Sequence, residues 1–166
     1  MNIQGIESVS SKLKEWGNFN SGILFLVKAI CTTNEWPYGE IWKADKNNEF
    51  MIWSGFWSRN EYYFERFSKF SSFHKFAKGL GLIGRTWKQG NLILLEDISK
   101  SKFFMRKEIA KVEGLNSVSC LPLLDNGKVI CILSFFLNKM SLDDIECAKM
   151  LFSRSESLGK ILTGIS

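Results

Sequence analysis

Residues 116–136 read NSVSCLPLLDNGKVICILSFF. Two β-prone runs rich in Val, Ile, Leu and Phe flank Asn126-Gly127, a dipeptide suited to a two-residue turn because both positions accept positive φ. The segment is predicted to be an antiparallel hairpin. A two-residue turn sets Asp125 against Lys128, and counting outward sets Cys120 against Leu133 and Cys131 against Pro122. The two thiols are then expected on one sheet face, diagonally placed and badly spaced for a disulfide.

Working outward, YGEIWKAD (38–45) and EFMIWSGFW (49–57) form a second predicted hairpin around KNN, and NLILLEDI (91–98) reads as a short buried strand. Helical spacing marks IESVSSKLKEW (6–16) and SGILFLVKAICTTN (21–34), the latter stopped by Pro37. From Asn60 to Phe76, Tyr63, Phe64, Phe67, Phe70 and Phe73 recur at three- and four-residue steps, predicting a helix with an aromatic stripe. SKSKFFMRKEIAKVEG (99–114) reads as a helix ended by Gly114, and 141–165 as one long closing helix. Ser141 with Asp144 gives the closing helix an acidic form of the capping box. The order α-α-β-β-α-β-α-β-β-α predicts an α+β domain with an antiparallel sheet and helices on both faces.

A chain of 166 residues is one ordinary domain, and a chain of that size buries roughly 70% of its extended surface on folding. No linker or repeat interrupts it. Its expected parts are N-terminal helices over 1–36, the sheet with a pocket over 37–138, and the C-terminal helix over 141–164. No apolar run approaches a membrane span and no basic-then-apolar leader opens the chain, so no membrane association and a cytoplasmic location are expected. Cys31, Cys120, Cys131 and Cys147 show no close pairing and read as reduced packing residues.

Charge is unevenly placed. Residues 66–111 carry eleven Lys and Arg against Glu96, Asp97 and Glu108, a net +8, while the rest of the chain carries −3. That segment suits an anionic ligand or an acidic protein surface; nucleic acid is not expected, because no nucleic-acid motif accompanies it. Catalytic chemistry is thin. Glu96 and Asp97 are strand neighbours pointing to opposite faces, and His74 is the only histidine, leaving no His-rich metal cluster and only a single imidazole for haem.

Several motifs, in order, resemble the GAF domain of bacterial, cyanobacterial and plant sensory proteins. Gly79, Gly81, Leu82, Gly84, Arg85 and Trp87 fit a G-x-G-L-x-G-R-x-W turn, followed by Asp97, then Phe104 and Arg106, then Gly114, Leu115 and Ser117. Pro122, Leu123, Gly127, Val129, Leu133, Phe135 and Phe136 fit the family's P-L-x-x-x-G-x-V-x-x-x-L-x-F-F hairpin, and EW-x-YGE-x-W spans Trp36–Trp42. The resemblance implies a stand-alone sensory or regulatory module that is not an enzyme and that binds a small, anionic ligand non-covalently. The implied pocket is walled by Trp57, Phe67, Phe70, Trp87, Phe104 and Met105, with His74, Arg85 and Arg106 facing anionic groups.

Departures from the family narrow the ligand. Bilin-binding members attach the chromophore through a Cys before a His, and those positions fall on Met105 and Arg106. Covalent bilin is therefore not expected, while a non-covalent tetrapyrrole stays open. Asn138, Lys139 and Asp143 only superficially echo a cyclic-nucleotide motif, since no Phe stands between them. The family's free methionine-(R)-sulfoxide reductases carry a thiol in the glycine turn where this chain has Ile83, which cannot attack sulfur. The alternative reading is a ligand-free interaction module, its pocket filled by its own aromatics, docking a partner through segment 66–111. A homodimer is also expected: Leu142, Ile145, Ala148, Phe152 and Leu162 suffice to cover the sheet, leaving Met150, Leu151, Leu158 and Ile161 as surplus.

Overall fold

The computed structural model describes every residue except Asn2, Glu61 and Ser166. Helices α1 (Ile3–Leu13) and α2 (Phe19–Asn34) lead into strands β1 (Tyr38–Ala44) and β2 (Phe50–Ser58). Helix α3 (Glu65–Ser72), strand β3 (Lys75–Ala77), helix α4 (Gly81–Gln89), strand β4 (Ile93–Leu95) and helix α5 (Lys107–Val112) follow. Strands β5 (Ser117–Asp125) and β6 (Lys128–Leu137) and helices α6 (Leu142–Ser153) and α7 (Ser155–Gly164) complete the chain. Among the described residues six strands lie in the order β3-β2-β1-β6-β5-β4, every neighbour antiparallel.

Strand alternation sorts the sheet's side chains into two cores. On one face Ile41, Leu121, Leu123, Cys131, Leu133 and Phe135 pack against α1, α2, α6 and α7. On the other, Tyr38, Trp42, Val118, Cys120, Ile132 and Phe136 pack beneath the segments carrying α3, α4 and α5. The α+β class with helices on both faces is thus what folds, because each apolar sheet face needs its own cover.

The β5–β6 turn has Asn126 and Gly127 at φ 50° and 73°, as its sequence predicts. Its register departs from the expected one. Asp125 pairs with Lys128 and Leu124 with Val129, but a bulge then shifts the ladder, so Leu123 pairs with Cys131 and Cys120 with Ser134. One extra residue reverses side-chain sides. Cys120 and Cys131 consequently lie on opposite faces of the sheet, not on the same one.

Four further elements differ from expectation. The aromatic helix predicted over 60–76 is only α3, closed by Phe73 N–H to Phe70 O and His74 N–H to Ser71 O. Phe76 leaves it to pair with Met51 at the sheet edge, where it meets the Trp42 ring edge-on at 5.3 Å. The helix expected from Ser99 starts at Lys107: Asp97 accepts from Ser99 N–H and Ser101 Oγ accepts from Phe103 and Phe104 N–H, side-chain bonds that compete with helix formation. Gly114, at φ 72°, does end it. Strand β4 is a half-buried edge strand, paired only with β5.

The long closing helix breaks at Arg154 into α6 and α7. Ser155 donates to Pro122 O at 2.6 Å, and Gly159 lies directly against the Leu124 backbone, so α7 turns onto β5. Leu151 and Leu158, read as dimer surplus, are each 1% exposed within the single chain, while Leu142, expected to cover the sheet, is 79% exposed. Helices α1 and α2 both contact α7, while Met150 and Ile161, the rest of the expected surplus, stay partly exposed.

Candidate functional site

Strand β1 places Tyr38, Glu40 and Trp42 on one face by simple alternation. That puts a carboxylate at the centre of an otherwise apolar layer; Glu40 is wholly buried. An ionised carboxylate there needs compensation. Arg106, 3% exposed, supplies it from the turn before α5: its Nη1 lies 2.9 Å from both Glu40 oxygens. Tyr38 OH donates to Oε1 at 3.1 Å and Trp42 Nε1 to Oε2 at 3.2 Å, and Arg106 also donates to Ser71 Oγ. Burial, and after it the Glu40 charge, push the Tyr38 phenol well above its ordinary pKa, keeping it a neutral donor.

Rings enclose the pair. The Arg106 guanidinium carbon lies 4.9 Å from the Phe67 centroid, 5.1 Å from Trp42 and 5.4 Å from both Phe104 and Phe136. Around it Tyr38 packs against Phe56, Phe64, Phe67 and Phe136, and Phe67 meets Phe136 at 5.0 Å. The space between the sheet and α3 is therefore filled by this chain's own side chains. Outside it runs an open groove of about 460 Å³ lined by Phe70, Lys102, Phe104, Met105, Arg106, Lys107, Glu108 and Ile109.

The expected site residues separate into groups. Phe70, Phe104, Met105 and Arg106 meet at the groove, Phe67 lies beneath it, and the His74 ring lies 4.7 Å from that of Phe70, with Nδ1 2.8 Å from Phe70 O. Arg85 adjoins through Phe103, whose ring centre is 3.6 Å from its guanidinium carbon, yet its buried Nε has no hydrogen-bond partner among the described residues. Trp87 stands apart in a cleft of about 440 Å³ with Lys78, Lys88 and Lys128. Trp57 lies on the sheet face opposite Arg106: it pairs with Gly39 and packs against the core under the terminal helices. Its place follows from a bulge in β2, where Ile41 pairs with Gly55 but Trp42 with Trp53; the extra residue reverses the alternation, so Trp53 and Phe56 share the pocket side while Trp57 does not.

Glu40 was not among the expected site residues, although a charged residue between two aromatics at alternate strand positions marks it. The glycine-rich segment is less a turn than a helix start. Gly79 and Gly81 have φ 89° and 61°, and α4 begins at Gly81 with Ile83 buried. All four cysteines are buried. Burial pushes the Cys120 thiol up to about 12 and raises Cys31, Cys131 and Cys147 as well. Among the described residues no three His, Cys, Asp or Glu side chains gather as a metal site.

No protein-family model and no curated protein sequence matches this chain. Solved structures do match its shape. The GAF domain of a phosphoenolpyruvate-protein phosphotransferase from Coxiella burnetii superposes with a TM-score of 0.74 at 14% identity, covering 98% of this chain and 92% of that one. The corresponding Acinetobacter domain gives 0.71 at 15%, covering 99% and 95%. A free methionine-R-sulfoxide reductase from Neisseria meningitidis, solved with its substrate, gives 0.70 at 15%, covering 95% and 83%. Along almost its entire length, this chain has the fold of a GAF domain.

Proposed function

We propose that this protein is a non-catalytic regulatory GAF module that acts by binding a protein partner, with its chamber closed by its own ion pair. The observation that carries this reading is the Arg106–Glu40 pair inside its ring of Trp42, Phe67, Phe104 and Phe136. Arg106, offered by sequence to an anionic ligand, already has a carboxylate, and Phe67 and Phe104, offered as pocket walls, both pack on Phe136. A tetrapyrrole would have to displace them.

Thiol chemistry of the reductase kind is disfavoured for a separate reason. The thiolate is the nucleophile, and here burial holds every cysteine in the protonated form while Ile83 occupies the glycine segment. A native mass spectrum of the freshly purified chain tests the reading. The expected spectrum shows the polypeptide without any small molecule. A retained organic ligand, released on denaturation, overturns it in favour of the second reading, a small anion seated in the groove beside Lys102 and Lys107.

A further inference from the structure

We infer that the groove between α3 and residues 102–109 docks an acidic peptide segment bearing aromatic or aliphatic side chains, contributed by a protein partner. The inference rests on the partner-binding reading above and names its surface and chemistry. Soluble domains rarely leave large apolar groups exposed together without a use for them. Here Phe70 and Met105 both line the groove, 42% and 61% exposed.

Charge selects the occupant. Lys102 and Lys107 line the same groove, and neither forms an ion pair among the described residues. The one acid lining it is Glu108. The surrounding segment 66–111 carries eleven basic residues against three acidic ones. A complementary partner therefore carries carboxylates around apolar anchors. Shape favours a peptide over a bilayer, because a concave groove of about 460 Å³ accepts inserted side chains that a flat lipid surface does not present.

The test pans short random peptides displayed on phage against the immobilised full chain, and measures the winners by fluorescence anisotropy as synthetic peptides. Enriched peptides are expected to combine Asp or Glu with Phe, Trp or Leu. Their affinity is expected to fall by about tenfold or more in Lys102→Glu/Lys107→Glu, and again between low and physiological salt. Met105→Ala/Phe70→Ala, both exposed in the groove, is expected to weaken the same peptides while the thermal midpoint holds. Failure to enrich any peptide, enrichment without acidic residues, or indifference to both double variants sinks the inference. So does stronger binding to phosphatidylserine-containing vesicles than to the selected peptides. A bare native mass with no peptide binding removes the docking groove alone, whereas a retained small molecule removes the partner-binding reading beneath it.

Discussion

Arg106 and Glu40 stand sixty-six residues apart in sequence and 2.9 Å apart in space, each almost wholly shielded from water. Their pairing ties the turn before α5 to the central strand β1. The Coulomb gain of such a pair is set against the desolvation of both ions, so its removal as a unit and its disruption differ sharply.

Disruption is expected to be severe. Arg106→Met leaves Glu40 as a buried carboxylate with only neutral donors, and Glu40→Gln leaves Arg106 without a counter-charge; each is expected to lower stability by about 3–5 kcal/mol. Glu40→Leu with Arg106→Met removes both charges and is expected to recover most of that loss. Urea unfolding of the three variants decides it: a double variant no better than the worse single variant refutes the account.

How much of this was legible in sequence follows from what kind of interaction decides each feature. The Asn126-Gly127 turn and the Ser141–Asp144 cap are local, and both stand in the structure as read. The bulge past Leu124, which moves Cys120 across from Ser134, is fixed by packing of two cores against β5, and no local signal announces it. Strand β3 is three residues long and exists because Phe76 is buried against Trp42, a tertiary effect that overrode helical spacing. Of the candidate site, Arg106 and its aromatic neighbours were readable by type. Their role was not, because it depends on Glu40 from a strand far off in sequence.

The thiols are expected to be silent in the native state. Cys31, Cys120 and Cys131 are fully buried, and burial raises each of their pKa values. Ellman's reagent at mildly alkaline pH is expected to label no buried thiol rapidly, and all four after denaturation. Because the folded pKa values are raised, their contribution is complete below the unfolded thiol value of about 8.5. It is lost as pH climbs toward the folded values, at up to about 1.4 kcal/mol per pH unit per thiol. Rapid native labelling of Cys120, or stability flat through pH 10, contradicts this.

Asp144 gives the opposite pH sign. Burial alone would raise its carboxyl, but hydrogen bonds from Trp36 Nε1 at 2.7 Å and from Ser141 together hold it below the ordinary carboxylate value. A depressed pKa stabilises the fold above the unfolded value of about 3.9 and loses that contribution as pH falls. Asp144→Ala is expected to lower stability at neutral pH by about 1 kcal/mol through the lost cap. It is also expected to flatten the acid limb of a stability profile. An unchanged acid limb in the variant assigns that limb to other carboxylates.

Two glycines on α7 are expected to respond in opposite directions to the same methyl group. A Cβ on Gly159 would stand 1.9 Å from Leu124 O and 2.7 Å from its carbonyl carbon, a clash with backbone that no side-chain rotation relieves. Helix α7 would have to lift from β5, parting Ser155 from Pro122 O and opening the terminal-helix core around Leu158 and Leu162. Overpacking of this kind costs about 1–3 kcal/mol where neighbours yield, and more where the obstacle is backbone. Gly164 has no atom within 4 Å of its own Cβ position and sits at the last turn of the same helix. There alanine restricts the unfolded chain without a clash, and a stabilisation of about 0.5–1 kcal/mol is expected. Thermal unfolding of Gly159→Ala and Gly164→Ala, measured side by side, checks the seating of α7: equal midpoints for the two variants would mean that α7 does not lie against Leu124 as described.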